Sequence, residues 1–196
     1  QINKPKNYPS EDFLNRLHKK TKSKALSLND IGFIETSIPI QNYIFNSRII
    51  NEYEETRNFP ALDNTSKLGP HLRFGTVSVR QMVSRADVND NKIFLKELIW
   101  REFFMQILWH FPQTHKNSFK SKYDRIIWRN NEKEFKKWCN GTTGYPMVDA
   151  GMRQLNKTGF MHNRVRMLVG SFLCKHLLID WRWGEAYFAE KLHDYE

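Results

Sequence analysis

Residues 91–110, NKIFLKELIWREFFMQILWH, constrain the fold more than any other stretch of the chain. Leu95, Leu98, Ile99, Phe103, Ile107 and Leu108 recur at i, i+3 and i+4, the period of an α-helix. Phe94, Trp100, Phe104 and Trp109 fill most of the other directions, so the helix is apolar around nearly its whole circumference. A helix of that kind needs cover on several sides and is expected to be central and buried. Pro112 ends it, because the ring cannot continue the hydrogen-bond ladder. Charged residues interrupt the run, and nowhere does the chain reach the ~20 consecutive apolar residues of a membrane-spanning helix.

The cover is expected from other helices. Residues 42–58 carry Tyr43, Ile44, Ile50 and Tyr53 at helical intervals before Pro60. Residues 78–85 form a short amphipathic piece with Ser78 as N-cap. Pro146 suits a first helical turn, and Gly159 a C-terminal stop, for a helix over 146–158. Further helices are expected over 163–178 and 184–192. Val and Ile never alternate with polar residues over a strand's length, so the fold class is all-α. Residues 1–30 are polar and Lys-rich, with a short helix possible over 11–19, and are expected to be an interdomain linker or arm. Residues 31–196 then form the helical domain.

Composition narrows the partners. A net charge of +10 fits a polyanion such as nucleic acid, although a solvated cationic surface has the same composition. Cys139 and Cys174 have neither metal-ligand nor disulfide-framework spacing, no metal is expected, and a reducing, intracellular (cytoplasmic) setting follows.

Three clusters could carry chemistry. In the loop 64–69, NTSKLG, hydroxyls, backbone amides and Lys67 could hold a phosphate, or the loop could be an ordinary capping turn. Glu97 and Arg101 stand at i, i+4 and could form a helical ion pair. Set among Leu98, Trp100 and Phe104, Glu97 could instead be a desolvated acid, with Trp100 free to stack on a base or cofactor. In FMHNRVRMLVGSFL, Asn163, Arg166, Met167 and Gly170 fall on one helical side, a better wall for a flat polar cofactor than for a core. Arg164, about 100° around, could reach a separate anion. His162 fits a structural hydrogen-bonder, and Trp138 fits core packing.

Taken in order, the strings EYEETRNFPALDNTSKLGPHLRFGTVSVRQM, FLKELIWREFF, TGYPMVDAGMRQL, MHNRVRMLVGSFLCKHLLIDWRWGEAYF and LHDYE resemble the flavin domain of the photolyase/cryptochrome family, from about Tyr43 onward. MHNRVRM is most similar to the bacterial class I cyclobutane pyrimidine dimer photolyases. The resemblance implies a helical domain holding FAD, active in its reduced form, beneath a cavity that receives a flipped-out dimer. By that resemblance Tyr53, Thr65, Ser66, Lys67, Leu68, Arg166 and Asp194 hold the cofactor, with Glu97, Arg101, Asn163 and Glu196 also in contact. Gly69 stands where some relatives have Ser. Glu97, Trp100 and Asn163 take the catalytic positions, while Arg57, Arg101, Arg164 and Met167 join Glu97 and Trp100 in facing substrate or DNA. Trp181 and Trp128 match the middle and outer members of an electron-hopping chain.

The reaction so implied is light-driven splitting of the dimer by an electron lent from reduced FAD, in a monomer bound to damaged DNA at the nucleoid. A flavin photoreceptor of cryptochrome type is the alternative. The resemblance also places an antenna domain before this stretch, where an antenna pigment would bind, and further flavin-pocket segments after it. The chain alone is therefore expected to be inactive in repair.

Overall fold

The computed structural model describes residues 9–16, 26–88 and 92–196, and the chain divides into two units at Ser37/Ile38. In the first unit, Ser10–Arg16 and Asn29–Ile31 are 3-10 helices. Ser27 and Asp30 close a turn on each other, the Ser27 N–H donating to Asp30 Oδ2 at 2.8 Å and the Asp30 N–H to Ser27 Oγ at 3.2 Å. Part of the 11–19 stretch, from residue 17 on, lies outside the described residues.

The second unit is helical throughout, with no strand among the described residues, as the sequence pattern requires. Its helices are α1 Ser47–Thr56, α2 Gly69–Arg73, α3 Val79–Asp87, α4 Ile93–His110, α5 Glu132–Asn140, α6 Pro146–Thr158, α7 Asn163–Lys175 and α8 Trp181–Lys191. Pro146 at the first turn and Gly159 at the C-cap bound α6 where expected. Ser78 caps α3, its Oγ accepting from Gln81 N at 3.4 Å.

Other boundaries move, for local reasons. The 42–58 helix starts only at Ser47, because Asn46 caps it by accepting from Ile49 N at 3.0 Å. Ile44, upstream, uses its N–H on Ser66 O at 2.8 Å, so that segment runs extended along the 64–68 loop. The last helix begins at Trp181 rather than 184, since Asp180 caps it through Arg182 N at 3.0 Å. The helix expected over 163–178 stops at Lys175, and Leu178 beyond it takes a left-handed φ of 53°. Two helices escaped the periodicity altogether: α2, a single turn, and α5, whose Lys-rich outer face hides Phe135 and Trp138. Asn131 Oδ1 caps α5 by accepting from Lys133 N and Glu134 N, and Gly141 ends it at φ 64°.

Two apolar clusters form. Phe45, Ile50, Leu68, Met82, Phe94 and Leu98 pack where α1 and α3 meet α4. Trp138, Met152, Leu155, Val169, Leu173 and Ile179 pack among α5 to α8. Trp138 is fully buried, as core packing predicts, and its indole N–H donates to Val169 O at 3.1 Å. Helices α6 and α7 approach closely because Gly151 lacks a side chain: a Cβ there would meet Val165 Cγ1 at 2.4 Å.

Helix α4 corrects the expectation of central burial. Only Phe94 and Leu98 are buried, while Trp100, Phe104 and Trp109 stand 52%, 60% and 80% exposed. Its N-terminal half packs on α1 and α3, Trp100 and Phe104 face the cavity described below, and most of its C-terminal half is exposed.

Candidate functional site

The two clusters leave a cavity of about 720 Å³ between them. From the first side come Tyr53 and Arg57 of α1 and its end, Thr65, Lys67 and Leu68 of the loop, and Glu97 and Trp100 of α4. From the other come the start of α7 (Asn163, Arg164, Arg166, Met167) with His162 before it, and Asp194 from beyond α8. Twelve of the residues singled out in the sequence thus share one cavity, although they come from five separate stretches of chain.

The cavity is electropositive. Arg57, Lys67, Arg164 and Arg166 face two carboxylates, Glu97 and Asp194. Glu97 does not pair with Arg101. Its carboxylate accepts from the Arg57 guanidinium, and Arg101 instead pairs with Glu196. The pair at i, i+4 loses to partners brought in by the tertiary fold. Glu97 is also not sealed among aromatics, since its side chain remains 35% exposed at the cavity mouth. Trp100 stacks on Phe104 at a centroid distance of 5.9 Å, meets Phe103 edge-on at 5.4 Å, and stays about half exposed.

Deeper in, Arg166 Nε donates to Met161 O at 2.7 Å and its NH2 to Asp194 Oδ2 at 2.9 Å. The other carboxylate oxygen, Asp194 Oδ1, is buried with no partner, and so is the Thr65 hydroxyl. Buried polar atoms without partners are costly and call for a ligand or solvent to complete them. Both line the cavity. Lys67, held in the left-handed region at φ 55°, pairs with Asp63 at 2.7 Å, and its ammonium lies 4.3 Å from the Phe160 ring centre. A strained residue in a loop aimed at a cavity is characteristic of ligand clamps.

Two cavity groups titrate away from their ordinary values. Burial pushes the Tyr53 phenol up, and the Glu97 carboxylate adds to this, so the hydroxyl stays a neutral donor. Burial pushes His162 down, helped by the charges of Lys67, Arg164 and Arg166. Its Nδ1 accepts from Arg164 N at 3.2 Å, so the neutral ring is the N-cap of α7. That is the structural role its sequence position suggested.

Some singled-out residues lie elsewhere. Ser66 does not line the cavity; its Oγ accepts from Leu68 N at 3.4 Å and shapes the loop from within. Arg101 and Glu196 form their pair outside the lining. Gly170 faces away, bordering an apolar hollow with Trp138, Trp181 and Phe188. Arg164 reaches Asn58 Oδ1 at 2.9 Å and Met167 Sδ at 3.5 Å along the rim. Trp128 and Trp181 lie outside the cavity lining, on segments sewn together: Arg129 N donates to Leu178 O at 2.8 Å and Asp180 N to Asn130 Oδ1 at 2.8 Å.

Sequence reasoning left out three contributors, His193, Phe160 and Met161, and at Gly69 it missed the space rather than the residue. Gly69 makes room for Asp194, since a Cβ there would lie 2.5 Å from Asp194 Oδ2. His193 donates its N–H to Gly159 O at 3.0 Å and lays its ring against Gly159, which seats the neighbouring Asp194. Phe160 and Met161 complete the wall. The Gly159 stop signal was legible, but not its second use.

Comparison with known proteins points one way. The family model described as the FAD binding domain of DNA photolyase matches residues 94–196, just over half of the chain. The deoxyribodipyrimidine photo-lyase of Agrobacterium fabrum is 50% identical over 149 residues, 72% of this chain and 31% of that protein. A bacterial class III photolyase structure from Agrobacterium tumefaciens superposes with a TM-score of 0.79 at 39% identity, covering 91% of this chain and 42% of that one. A cryptochrome structure from Synechocystis gives 0.71 at 40% identity, over 80% of this chain and 34% of that one. The chain spans about a third of the length of the curated relatives it matches. Its helices and more than half of its sequence place it in one lineage: the chain belongs to the family of FAD-binding domains of DNA photolyase.

Proposed function

We propose that this chain holds FAD in the 720 Å³ cavity and serves light-dependent repair of cyclobutane pyrimidine dimers in DNA. In this reading residues 1–30 are the linking arm and 31–196 part of the flavin- and DNA-binding domain. The observation that carries it is the pair of partnerless buried oxygens, Thr65 Oγ1 and Asp194 Oδ1, in an electropositive cavity. A flavin dinucleotide brings phosphates and ring amides, the groups that hydroxyls, carboxylates and guanidinium ions complete.

The Thr65–Leu68 loop would hold the diphosphate by its hydroxyls, backbone amides and Lys67. Arg166 and Asp194, locked to each other, would flank the isoalloxazine with fixed charges, and Tyr53 and Asn163 would fix its seat. Arg101 and Glu196 would support it from outside the lining. When bound and reduced, the flavin supplies an electron on excitation by light. Glu97, oriented by Arg57 at the mouth, would accept hydrogen bonds from the pyrimidine ring N–H or share a proton with its carbonyl. Trp100, half open to solvent, would stack on a base flipped out of the duplex, and Met167 would touch it from α7. Arg57, Arg101 and Arg164 would contact phosphate regardless of sequence, which suits recognition of damage. Trp181 and Trp128 would carry electrons that reduce the flavin from outside. The protein would act as a monomer, in the cytoplasm and on nucleoid DNA.

The likeness to a cryptochrome supports a second reading, a flavin photoreceptor with the same cavity. One experiment separates the readings. Protein carrying this chain is purified with reduced FAD, and thymine dimers in oligonucleotide DNA are counted after near-UV light, wild type beside Glu97→Ala. Loss of dimers that falls in the variant supports repair. Bound, photoreducible FAD without dimer loss supports the photoreceptor, and failure to bind FAD overturns both.

A further inference from the structure

Residues 116–130 carry little regular structure and expose Phe119, Tyr123 and Ile127, yet both ends of the segment are tied to the start of α8. At its far end Asn130 and Leu178, neither of them glycine, take left-handed φ values of 49° and 53° within one junction. Such backbone persists only where its surroundings hold it, and it concentrates at functional sites. Here the hold is explicit. Arg129 N donates to Leu178 O at 2.8 Å, Arg129 NH2 to Leu177 O at 3.1 Å, and Asp180 N to Asn130 Oδ1 at 2.8 Å.

Arg182 ties the near end. From the first turn of α8 its Nε donates to Lys116 O at 2.6 Å, its NH2 to Asp124 Oδ1 at 2.8 Å and its NH1 to Asp180 Oδ2 at 3.1 Å. Asp124 also accepts from Ser118 N at 2.9 Å, so the guanidinium closes the whole turn 116–124 onto the helix. The same guanidinium carbon stands 4.8 Å from the centre of the Trp181 ring. Trp128, half-buried, lies in the segment thus secured.

We propose that Arg182 is a positioning residue for electron movement between Trp181 and Trp128. It holds the Trp128 segment against α8, and its charge over the Trp181 indole makes an electron hole costlier on Trp181. This rests on the reading above, that the two indoles carry electrons toward a light-excited, oxidised flavin, which is the oxidant. In the step itself one electron leaves the Trp128 indole and fills the hole on Trp181. Trp181 returns to its neutral form, and Trp128, oxidised by one electron, loses its ring N–H proton to water. Removing the cation stabilises the hole on Trp181, and the freed carboxylate of Asp180, next to it in the chain, acts in the same direction.

The test is flash photolysis of the protein with oxidised FAD bound, the share of holes reaching Trp128 being the signal lost on Trp128→Phe. In Arg182→Met that share is expected to fall about twofold to fivefold, the equilibrium worth of a cation over an indole face at a partly open site. Arg182→Lys, which keeps the charge, should recover most of it. A flavin-free readout accompanies this: acrylamide quenching of Trp128 emission in the apo chain should rise in Arg182→Met and in Asp124→Asn. An unchanged hole distribution in Arg182→Met, or, if that variant does not fold, unchanged Trp128 quenching in Asp124→Asn, overturns the proposal. Trp181→Phe tests the underlying reading separately: if holes still form on Trp128 at the wild-type yield, the relay fails, whatever Arg182 does.

Discussion

At the residue scale, the TGYPMVDAGMRQL string shows how a motif can be diagnostic without touching substrate. Burial would push the Asp149 carboxyl up, but the Thr143 hydroxyl, the Thr143 and Gly144 N–H groups and the nearby Arg153 charge outweigh it and hold the group low. Asp149 thereby pins the loop that feeds α6. Two residues later Gly151 allows α7 to close in. Gly151→Ala should cost about 1–3 kcal/mol by overpacking against Val165, read as a lower denaturant midpoint with unchanged slope. His162 makes a pH prediction. An unfolded imidazole binds a proton near pH 6.5, whereas in the fold burial and three neighbouring cations postpone it to lower pH. Below 6.5 the unfolded chain therefore holds more protons, and stability falls as pH drops through that window. His162→Asn, which still caps α7, should flatten this acid-side loss in denaturant titrations; an equally steep loss would assign it to other groups.

At the element scale, caps decide where helices begin and what they carry. Asn131→Ala leaves Lys133 N and Glu134 N without their acceptor and should cost about 1 kcal/mol in equilibrium unfolding. Gly159 links an element boundary to the cavity. At φ 65° a side chain is strained, and a Cβ would strike His193 Nε2 at 2.4 Å, next to Asp194. Gly159→Ala is accordingly expected to weaken FAD retention beyond its ~1 kcal/mol loss in stability, measured as flavin released on dilution. Retention equal to wild type would mean that Asp194 does not need its neighbour's seat.

At the scale of the whole molecule, charge and exposed apolar surface govern behaviour. The net +10 is partly gathered at the cavity, where Arg57 and Arg164 sit on the rim. If Arg164 meets a phosphate, Arg164→Ala should reduce the slope of log affinity against log salt by about 1, for any DNA sequence. On α4, Trp100 and Phe104 share one exposed face, their rings 5.9 Å apart, and Trp109 stands exposed near the C-terminal end on the opposite side. Periodicity showed that this helix is apolar all round, but not that its neighbours α1 and α3 cover only its N-terminal half. Period reports what a helix can bury, and tertiary packing decides what it does bury.

By itself the sequence determined the helical class and most helix boundaries within a few residues, and its family resemblance picked out twelve of the side chains that line the cavity. Local signals sufficed there: Pro146 and Gly159 bound a helix through their own backbone preferences, and the motif strings are contiguous. The choice of ion-pair partners was left to the tertiary structure. Glu97 and Arg101 are near enough along one helix to pair, yet Arg57 and Glu196 take their places. Tertiary structure alone also decided that Gly69 and Gly159 seat Asp194, and that Arg182 binds the segment of Trp128. These are contacts between residues remote in the chain, whose strength depends on distances and burial that no local period encodes.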